Sequence, residues 1–378
     1  MASIYLHIPF CDKKCIYCDF YSLESVNNFA PFLNALENEI IISAENYNSE
    51  DIETIFFGGG TPSLLKSTDF ERILNLLHKK FKISNTAEIT TEANPGTVDL
   101  EKLKSYRSIG LNRISFGVQS FIESELKFLS RIHSVDEIFK AVLNARKAGF
   151  DNLNLDLIFA LPNQTFENWK FNLESAIKLN PEHISSYSLI VEPNTPLKNL
   201  VDSKIVSPLP QDLEAEFYSE TINILDKSGF KQYEISNFSK SGFECKHNLN
   251  YWNHSNYIGF GPSAHSFWKN NSEQKRFWNY RNLDKYISLL QNNILPIAGS
   301  ENLDLNQLFI ESVFLGLRKG ELNLSLINSI YKKDLTITQK NKLEDFLKDN
   351  LIEQDGDKIY LTKKGFSFSD EIATELIS

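Results

Sequence analysis

Six short runs rich in β-branched and aromatic residues recur through the first half of this 378-residue chain: Ile4–Ile8, Thr54–Phe57, Glu88–Glu92, Arg113–Val118, Leu153–Ile158 and Ile184–Ile190. Their starts lie 50, 34, 25, 40 and 31 residues apart, too far for hairpins and long enough each time for a crossover helix. Amphipathic stretches fill the gaps: Phe32–Ile41, Phe70–Phe81, Leu100–Ser108, Val135–Ala148 and Phe166–Leu179. Repeated βα units predict an α/β fold with a parallel sheet. Six units, two short of a closed eight-stranded barrel, predict a partial (βα)6 TIM-like barrel, with an open doubly wound sheet as the alternative. Pro193, Pro196, Pro208 and Pro210 then break the rhythm and mark a boundary or a lid.

Polar residues gather where the strands end. Gly58–Ser63 follows the second strand, Glu92-Ala93-Asn94-Pro95 ends the third, and Gln119 follows the fourth; Asp156 lies in the fifth and Glu192 after the sixth. The C-terminal rim of such a sheet is where ligands bind. From about Asn302 the pattern changes again. Helical runs Gln307–Leu317 and Thr338–Lys348 precede two alternating runs joined at Asp355-Gly356, a hairpin signal. Helices followed by a hairpin predict a small winged-helix-like C-terminal module.

Charge and targeting narrow the setting. With 39 Lys and Arg against 49 Asp and Glu the net charge is −10, so non-specific binding to nucleic acid is disfavoured. The Lys340, Lys342 and Lys348 side chains of the would-be recognition helix are offset by Glu344 and Asp345, which weakens the case for a DNA-binding regulator. No run approaches the roughly 18 apolar residues of a membrane span, and the start carries no signal peptide. The expected location is the cytoplasm.

Three of the four cysteines fall within eight residues, Cys11-Asp12-Lys13-Lys14-Cys15-Ile16-Tyr17-Cys18, directly after the first strand. Structural zinc prefers four ligands in paired knuckles, and a redox C-x-x-C pair would leave Cys11 idle. A [4Fe–4S] cubane normally takes four cysteines. Three leave one iron open to the amino and carboxylate groups of S-adenosylmethionine, whose sulfonium then accepts an electron from the reduced cluster. The Gly58–Thr61 turn has no P-loop lysine, but its exposed backbone groups suit close approach of a ligand.

The segments Tyr5–Phe20, Gly58–Ser63, Gly117-Val118-Gln119-Ser120 and Leu161-Pro162-Asn163-Gln164-Thr165 together resemble the oxygen-independent coproporphyrinogen III oxidase family of the radical-SAM superfamily. The resemblance implies a radical-SAM core over residues 1–235, a connecting segment over 236–300 and a family-type C-terminal domain over 301–378. It implies a [4Fe–4S] cluster on Cys11, Cys15 and Cys18. It also implies S-adenosylmethionine contacts from Tyr5, Gly59, Glu92 and Asp156, with Tyr17, Gly60, Thr61, Gln119 and Arg131 lining the adjoining site.

Two departures separate this chain from the oxidase. Phe20 stands where the oxidase carries a further cysteine, and the cluster loop begins almost at the N-terminus. Both features match the sister group of haem chaperones. Cys245-Lys246-His247-Asn248-Leu249-Asn250-Tyr251-Trp252 contains H-N-x-x-Y-W, which resembles the haem-binding motif of that group. Imidazole is a common axial ligand, and Asn248, Tyr251 and Trp252 would border the porphyrin. His247 or Cys245 is the iron ligand in this reading. The competing readings are a packed core histidine and a zinc site of Cys245, His247, His254 and His265. The function implied is transfer of haem to apo-haemoproteins such as respiratory enzymes, with homodimerisation and membrane association through partners left open. The alternative is radical decarboxylation of coproporphyrinogen III.

Overall fold

The computed structural model describes residues 1–24, 29–270 and 273–378. Six βα units build its first half: β1 (Ala2–Ile8), α1 (Phe29–Tyr47), β2 (Asp51–Gly59), α2 (Ser67–Lys80), β3 (Lys82–Ala93), α3 (Leu100–Ser108), β4 (Arg113–Gln119), α4 (Glu123–Phe128), α5 (Val135–Lys147), β5 (Leu153–Phe159), α6 (Phe166–Lys178) and β6 (His183–Ser188). These strands are parallel neighbours in chain order, β1 to β6. A doubly wound sheet needs a reversal of strand order; sequential right-handed crossovers instead place every helix on one side. The fold is the expected partial (βα)6 arrangement.

Strand residues buried on both faces of a parallel sheet normally read as continuous apolar runs. Here they alternate. Ala2, Ile4, Leu6 and Ile8 of β1 and Leu153, Leu155, Leu157 and Phe159 of β5 join the core under the helices. The opposite face carries Ser3, Thr54, Glu88, Arg113, Ser115, Asn154 and Ser185, all buried. Hydrogen bonds cross it from strand to strand, Thr54 to Ser3 at 2.7 Å and Asn154 to Ser115 and Ser185 at 2.7 and 2.9 Å. A polar inner face is costly unless satisfied; this network satisfies it and lines a site.

Beyond β6 the chain forms α7 (Pro196–Asp202), with Pro196 tolerated in the first turn, then α8 (Gln211–Lys227), β7 (Lys231–Glu234), β8 (Asn237–Ser239) and α9 (Lys246–Trp252). Next come β9 (Asn256–Phe260), β10 (His265–Lys269), β11 (Gln274–Asn279), α10 (Leu283–Gln291) and β12 (Ile297–Asn302). The sheet does not stop at the expected boundary near residue 235. β8 and β7 continue it past β6, and β9 pairs parallel to β1 and leads to β10, β11 and β12, giving twelve strands in one sheet among the described residues. Glu39 of α1 clamps this extension, accepting from Gly261 N at 2.8 Å, Asn279 Nδ2 at 2.5 Å and the Tyr286 hydroxyl at 2.5 Å.

The C-terminal part has its own core, Phe309 to Leu376. It comprises α11 (Leu305–Arg318), β13 (Glu321–Asn323), α12 (Leu324–Tyr331), α13 (Ile337–Lys348), β14 (Ile352–Asp355), β15 (Lys358–Leu361) and α14 (Ser369–Ile377). The β14–β15 hairpin turns at Gly356-Asp357, and β13 completes a three-stranded antiparallel wing. On α13, Lys342 pairs with Glu375 and Lys348 with Asp345, so two of its lysines are already neutralised. Among the described residues no helix is long and apolar enough to cross a membrane.

Candidate functional site

The cluster loop is a strap across the ends of β1 and β2. Leu23 N donates to Pro9 O and Cys11 N to Leu23 O, which ties the strap's two ends together. Gly60 N and Thr61 N donate back to Ile8 O and Phe10 O at 2.8 and 2.7 Å. A Cβ on Gly60 would lie 2.6 to 2.9 Å from backbone atoms of Ile8 and Phe10, so the strap and the Gly-rich turn fit only with glycine there. Gly59 has φ +105°, open to glycine at no steric cost.

All three loop cysteines are free. Cys11 Sγ lies 3.5 Å from the Thr61 hydroxyl and Cys15 Sγ 3.4 Å from Arg131 Nη1. Arg131 also holds Gly117 O at 2.7 Å, so β4 and the loop share one cation. Burial pushes the Cys18 thiol up to about 11 and raises Cys11; a bound metal reverses that by stabilising the thiolates. Among the described residues no three His, Cys, Asp or Glu side chains close on a single-ion site. Three free thiols on one strap, backed by a guanidinium, fit three corners of a cubane, which are spaced more widely than the ligands of one ion. Tyr17 packs with Leu129, Ile158 and Leu161 and faces Arg131.

Next to the strap, the bare Gly58 is walled by Tyr5, Phe56 and Glu92, the last within 3.3 Å of where a Cβ would stand. Glu92 Oε2 accepts from Gly59 N at 3.2 Å. Asp156 accepts from Ser115 at 3.0 Å and Asn154 at 2.7 Å. Burial and the Asp156 charge lift the Glu92 carboxyl to about 8, and burial also raises Asp156. Two carboxyls at the rim, both within the field of the buried Arg113 guanidinium, fit a cationic ligand such as an ammonium or sulfonium. Gln119, two strands away, is held at φ +69°, a left-handed strain at the rim. The structure places Tyr5, Gly59, Gly60, Thr61, Glu92, Gln119, Arg131 and Asp156 toward one end of the sheet.

The second motif behaves otherwise. His247 is 2% exposed, its ring stacked on Phe56 at 4.9 Å. Because Thr54 donates onward to Ser3, His247 Nδ1–H donates to Thr54 Oγ1 at 2.6 Å; Nε2 then accepts from the Tyr251 hydroxyl at 3.0 Å. Burial and the Arg113 charge lower its pKa to about 3. His247, expected with Cys245 as the alternative haem ligand, has both nitrogens hydrogen-bonded inside the sheet. Cys245 is buried too, with Sγ 3.5 Å from Glu88 Oε1. Trp252 faces Glu234 and Asn248 N supports Cys245, while Tyr251 lines the adjoining cavity. The four residues of the zinc alternative diverge as well: His254 binds Ser312 and Glu311, and His265 stacks on Trp278. We expect His247→Ala to cost about 2–4 kcal/mol of stability through two lost hydrogen bonds and a cavity, checked by denaturant melts.

Sequence reasoning missed three features. Arg113, 2% exposed, sits amid Cys245, Glu88, Tyr233 and Asp156 as the inner face's buried cation. A relay then runs from Asp156 through Asn154, His183 and Tyr233 to Cys245 N, linking the rim to α9. Finally, a cavity of about 780 Å³ opens between the cluster strap, β9–β11 and α11. Its lining includes Phe20, Tyr257, His265, Arg276, Arg281 and Phe314. No local sequence signal marks it, because its walls come from segments far apart in the chain.

Comparison with known proteins gives a consistent outcome. The radical SAM superfamily model matches residues 5–175. The chain is 36% identical to the haem chaperone HemW of Bacillus subtilis over 98% of both chains. It is 32% identical to that of Mycobacterium tuberculosis over 99% of this chain and 94% of the relative. Against that of Escherichia coli it is 41% identical over 70% of this chain and 69% of the relative. The solved structure of E. coli coproporphyrinogen III oxidase, described as a radical SAM enzyme, superposes with a TM-score of 0.86 at 26% identity, covering 100% of this chain and 90% of that one.

Proposed function

We propose, on the premise that this chain belongs to the HemW family of haem chaperones within the radical SAM superfamily, that it carries haem and delivers it to apo-haemoproteins, respiratory enzymes among them. The observation that carries this choice is the full-length similarity to the B. subtilis chaperone, 36% against 26% for the oxidase that shares the scaffold. Phe20, standing where the oxidase has its further cysteine, supports the same branch. The proposed working place is the cytoplasm.

Cys11, Cys15 and Cys18 would hold a [4Fe–4S] cluster, and Gly59, Gly60, Thr61, Glu92 and Asp156 would hold S-adenosylmethionine beside it. When bound, the reduced cluster supplies an electron to the sulfonium. The chain's own residues set the terms. Arg131 offsets the charge of the thiolates, Glu92 and Asp156 take the ligand's positive charge, and Tyr5 and Phe56 wall the pocket. In a chaperone this rim would report ligand state to the haem-handling half through the Asp156–His183–Tyr233 relay.

Anaerobic incubation with coproporphyrinogen III, S-adenosylmethionine and reductant is expected to yield no protoporphyrinogen, while haem-loaded protein reconstitutes an apo-haemoprotein. Product formation in the first experiment would replace the chaperone by the oxidase.

A further inference from the structure

The cavity beside the cluster strap has a shape and chemistry that the rim site does not use. Its volume of about 780 Å³ falls within the range of ligand-binding clefts. One wall is the strap itself, where Phe20 is 66% exposed. Phe20 turns its ring to this cavity, where it joins other aromatic surface. Tyr257 of β9 and Phe314 of α11 offer further aromatic surface. Arg276, Arg281 and Arg318 bring guanidinium groups to the same cavity. An apolar, aromatic box with several arginines suits a flat macrocycle bearing carboxylates.

The histidines single out one ligand. The chain has seven, and in four both ring nitrogens are hydrogen-bonded. His7 bonds Tyr5 OH and Tyr21 O, His133 bonds Asn94 and Val118 O, and His183 bonds Asn154 and Tyr233. His247 bonds Thr54 and Tyr251. His254 is buried rather than open to the cavity: Nδ1 meets the Ser312 hydroxyl, and Nε2 lies 3.1 Å from the Glu311 carboxylate as an ion-pair contact without hydrogen-bond geometry. His78 lies on α2 and does not line the cavity. His265 does line it, is exposed, and among the described residues has no hydrogen-bond partner for either nitrogen. Trp278 stacks behind it at 5.9 Å with an interplanar angle of 22°, which fixes the ring without spending a nitrogen. Burial and Arg276 lower its pKa, so the imidazole is neutral and its lone pair free at neutral pH.

We propose that haem sits in this cavity between the cluster strap, β9–β11 and α11, with His265 as its iron ligand. This rests on the haem-carrying function proposed above and replaces only the place of binding. The arginines suit a cargo that must leave. Arg276 is paired with Glu301 and Glu311, Arg281 with Asp19, and Arg318 with Asp370. Propionates entering the cavity exchange with these carboxylates, so filled and empty states both keep the guanidinium charges paired. Because Phe20 belongs to the same strap as Cys18, occupancy of the cavity and the state of the cluster loop are mechanically joined.

The test uses the full chain, titrated with ferric haem and, separately, with metal-free protoporphyrin IX. Wild-type protein is expected to show the Soret band and electron paramagnetic resonance signal of imidazole-ligated haem. His265→Ala shifts both, weakens haem at least tenfold, and regains the wild-type band when free imidazole is added. Metal-free porphyrin, which needs no axial ligand, binds wild type and His265→Ala alike. His265 is exposed, so the variant folds. Unchanged Soret band and affinity in His265→Ala overturn the site. If His247→Gln then loses the band, haem carrying stands with its ligand on α9; if wild type takes up no haem, the function itself fails.

Discussion

Anaerobic reconstitution of Cys15→Ala with iron and sulfide is expected to leave protein with almost none of the cubane absorbance that the wild type acquires. Cys15 is the most enclosed of the three strap cysteines, 9% exposed. Its carbonyl anchors Cys18 N at 3.2 Å and its sulfur meets Arg131 at 3.4 Å. Two features make its loss severe. A cluster on three protein ligands has no spare, since the fourth iron is reserved for a small molecule. The remaining cysteine, Cys245, is locked on α9 against Glu88 and is pushed up to about 12 by burial, so it offers no thiolate in exchange. Iron and acid-labile sulfide should fall with the absorbance, while the circular dichroism spectrum stays that of a folded chain. Full iron and sulfide content in the variant would remove the cluster assignment.

The strap's chemistry was legible from spacing because all of it lies within eight residues. The six parallel strands were legible too, since each strand–helix switch changes the local period from 2 to 3.6. Their starts and ends differ by a few residues, as at β3, which begins at Lys82 rather than Glu88. The Asp355-Gly356 turn marked the wing hairpin because its backbone demand is local. What escaped was set by distant partners. β9 is a five-residue strand whose neighbour, β1, lies some 250 residues away in the chain, and nothing in Asn256–Phe260 announces that pairing. The hydrogen bonds of His247 show the same limit at one residue. Its type suits a metal ligand, but Thr54, 193 residues earlier, decides what its Nδ1 does. Nor does sequence distinguish His265 from His254; only the structure reveals that one ring is buried against Ser312 and Glu311 and the other is exposed in the cavity.

Glu92→Gln is expected to make the ligand-free protein more stable and the ligand-responsive protein less so. The Glu92 carboxyl is lifted from 4.5 to about 8 by burial first and by Asp156 second. Between those values the folded protein holds a proton that the unfolded chain has released, so stability falls as pH rises through the window. Above pH 8 the full cost of a buried carboxylate is present; below about 4.5 both states are protonated and it vanishes. After allowance for the partial solvent access of Glu92, the cost is about 2–3 kcal/mol. Glutamine keeps an oxygen to accept from Gly59 N and carries no charge. Its melting temperature should therefore exceed that of wild type by a few degrees at pH 8.5, and the gap should close at pH 4.5. S-adenosylmethionine reverses the order, because its positive charge compensates the carboxylate in wild type and finds nothing in the variant. Ligand affinity should drop at least tenfold and the ligand-induced rise in melting temperature should be lost. A variant that melts no higher than wild type at pH 8.5 and binds S-adenosylmethionine equally well would show that Glu92 is a structural acid rather than the counter-charge of the rim. Below about pH 8 the ligand-free site thus keeps a proton on Glu92, and a bound cation favours its release, so the fold holds, at the expense of stability, a carboxyl poised to become the ligand's counter-charge.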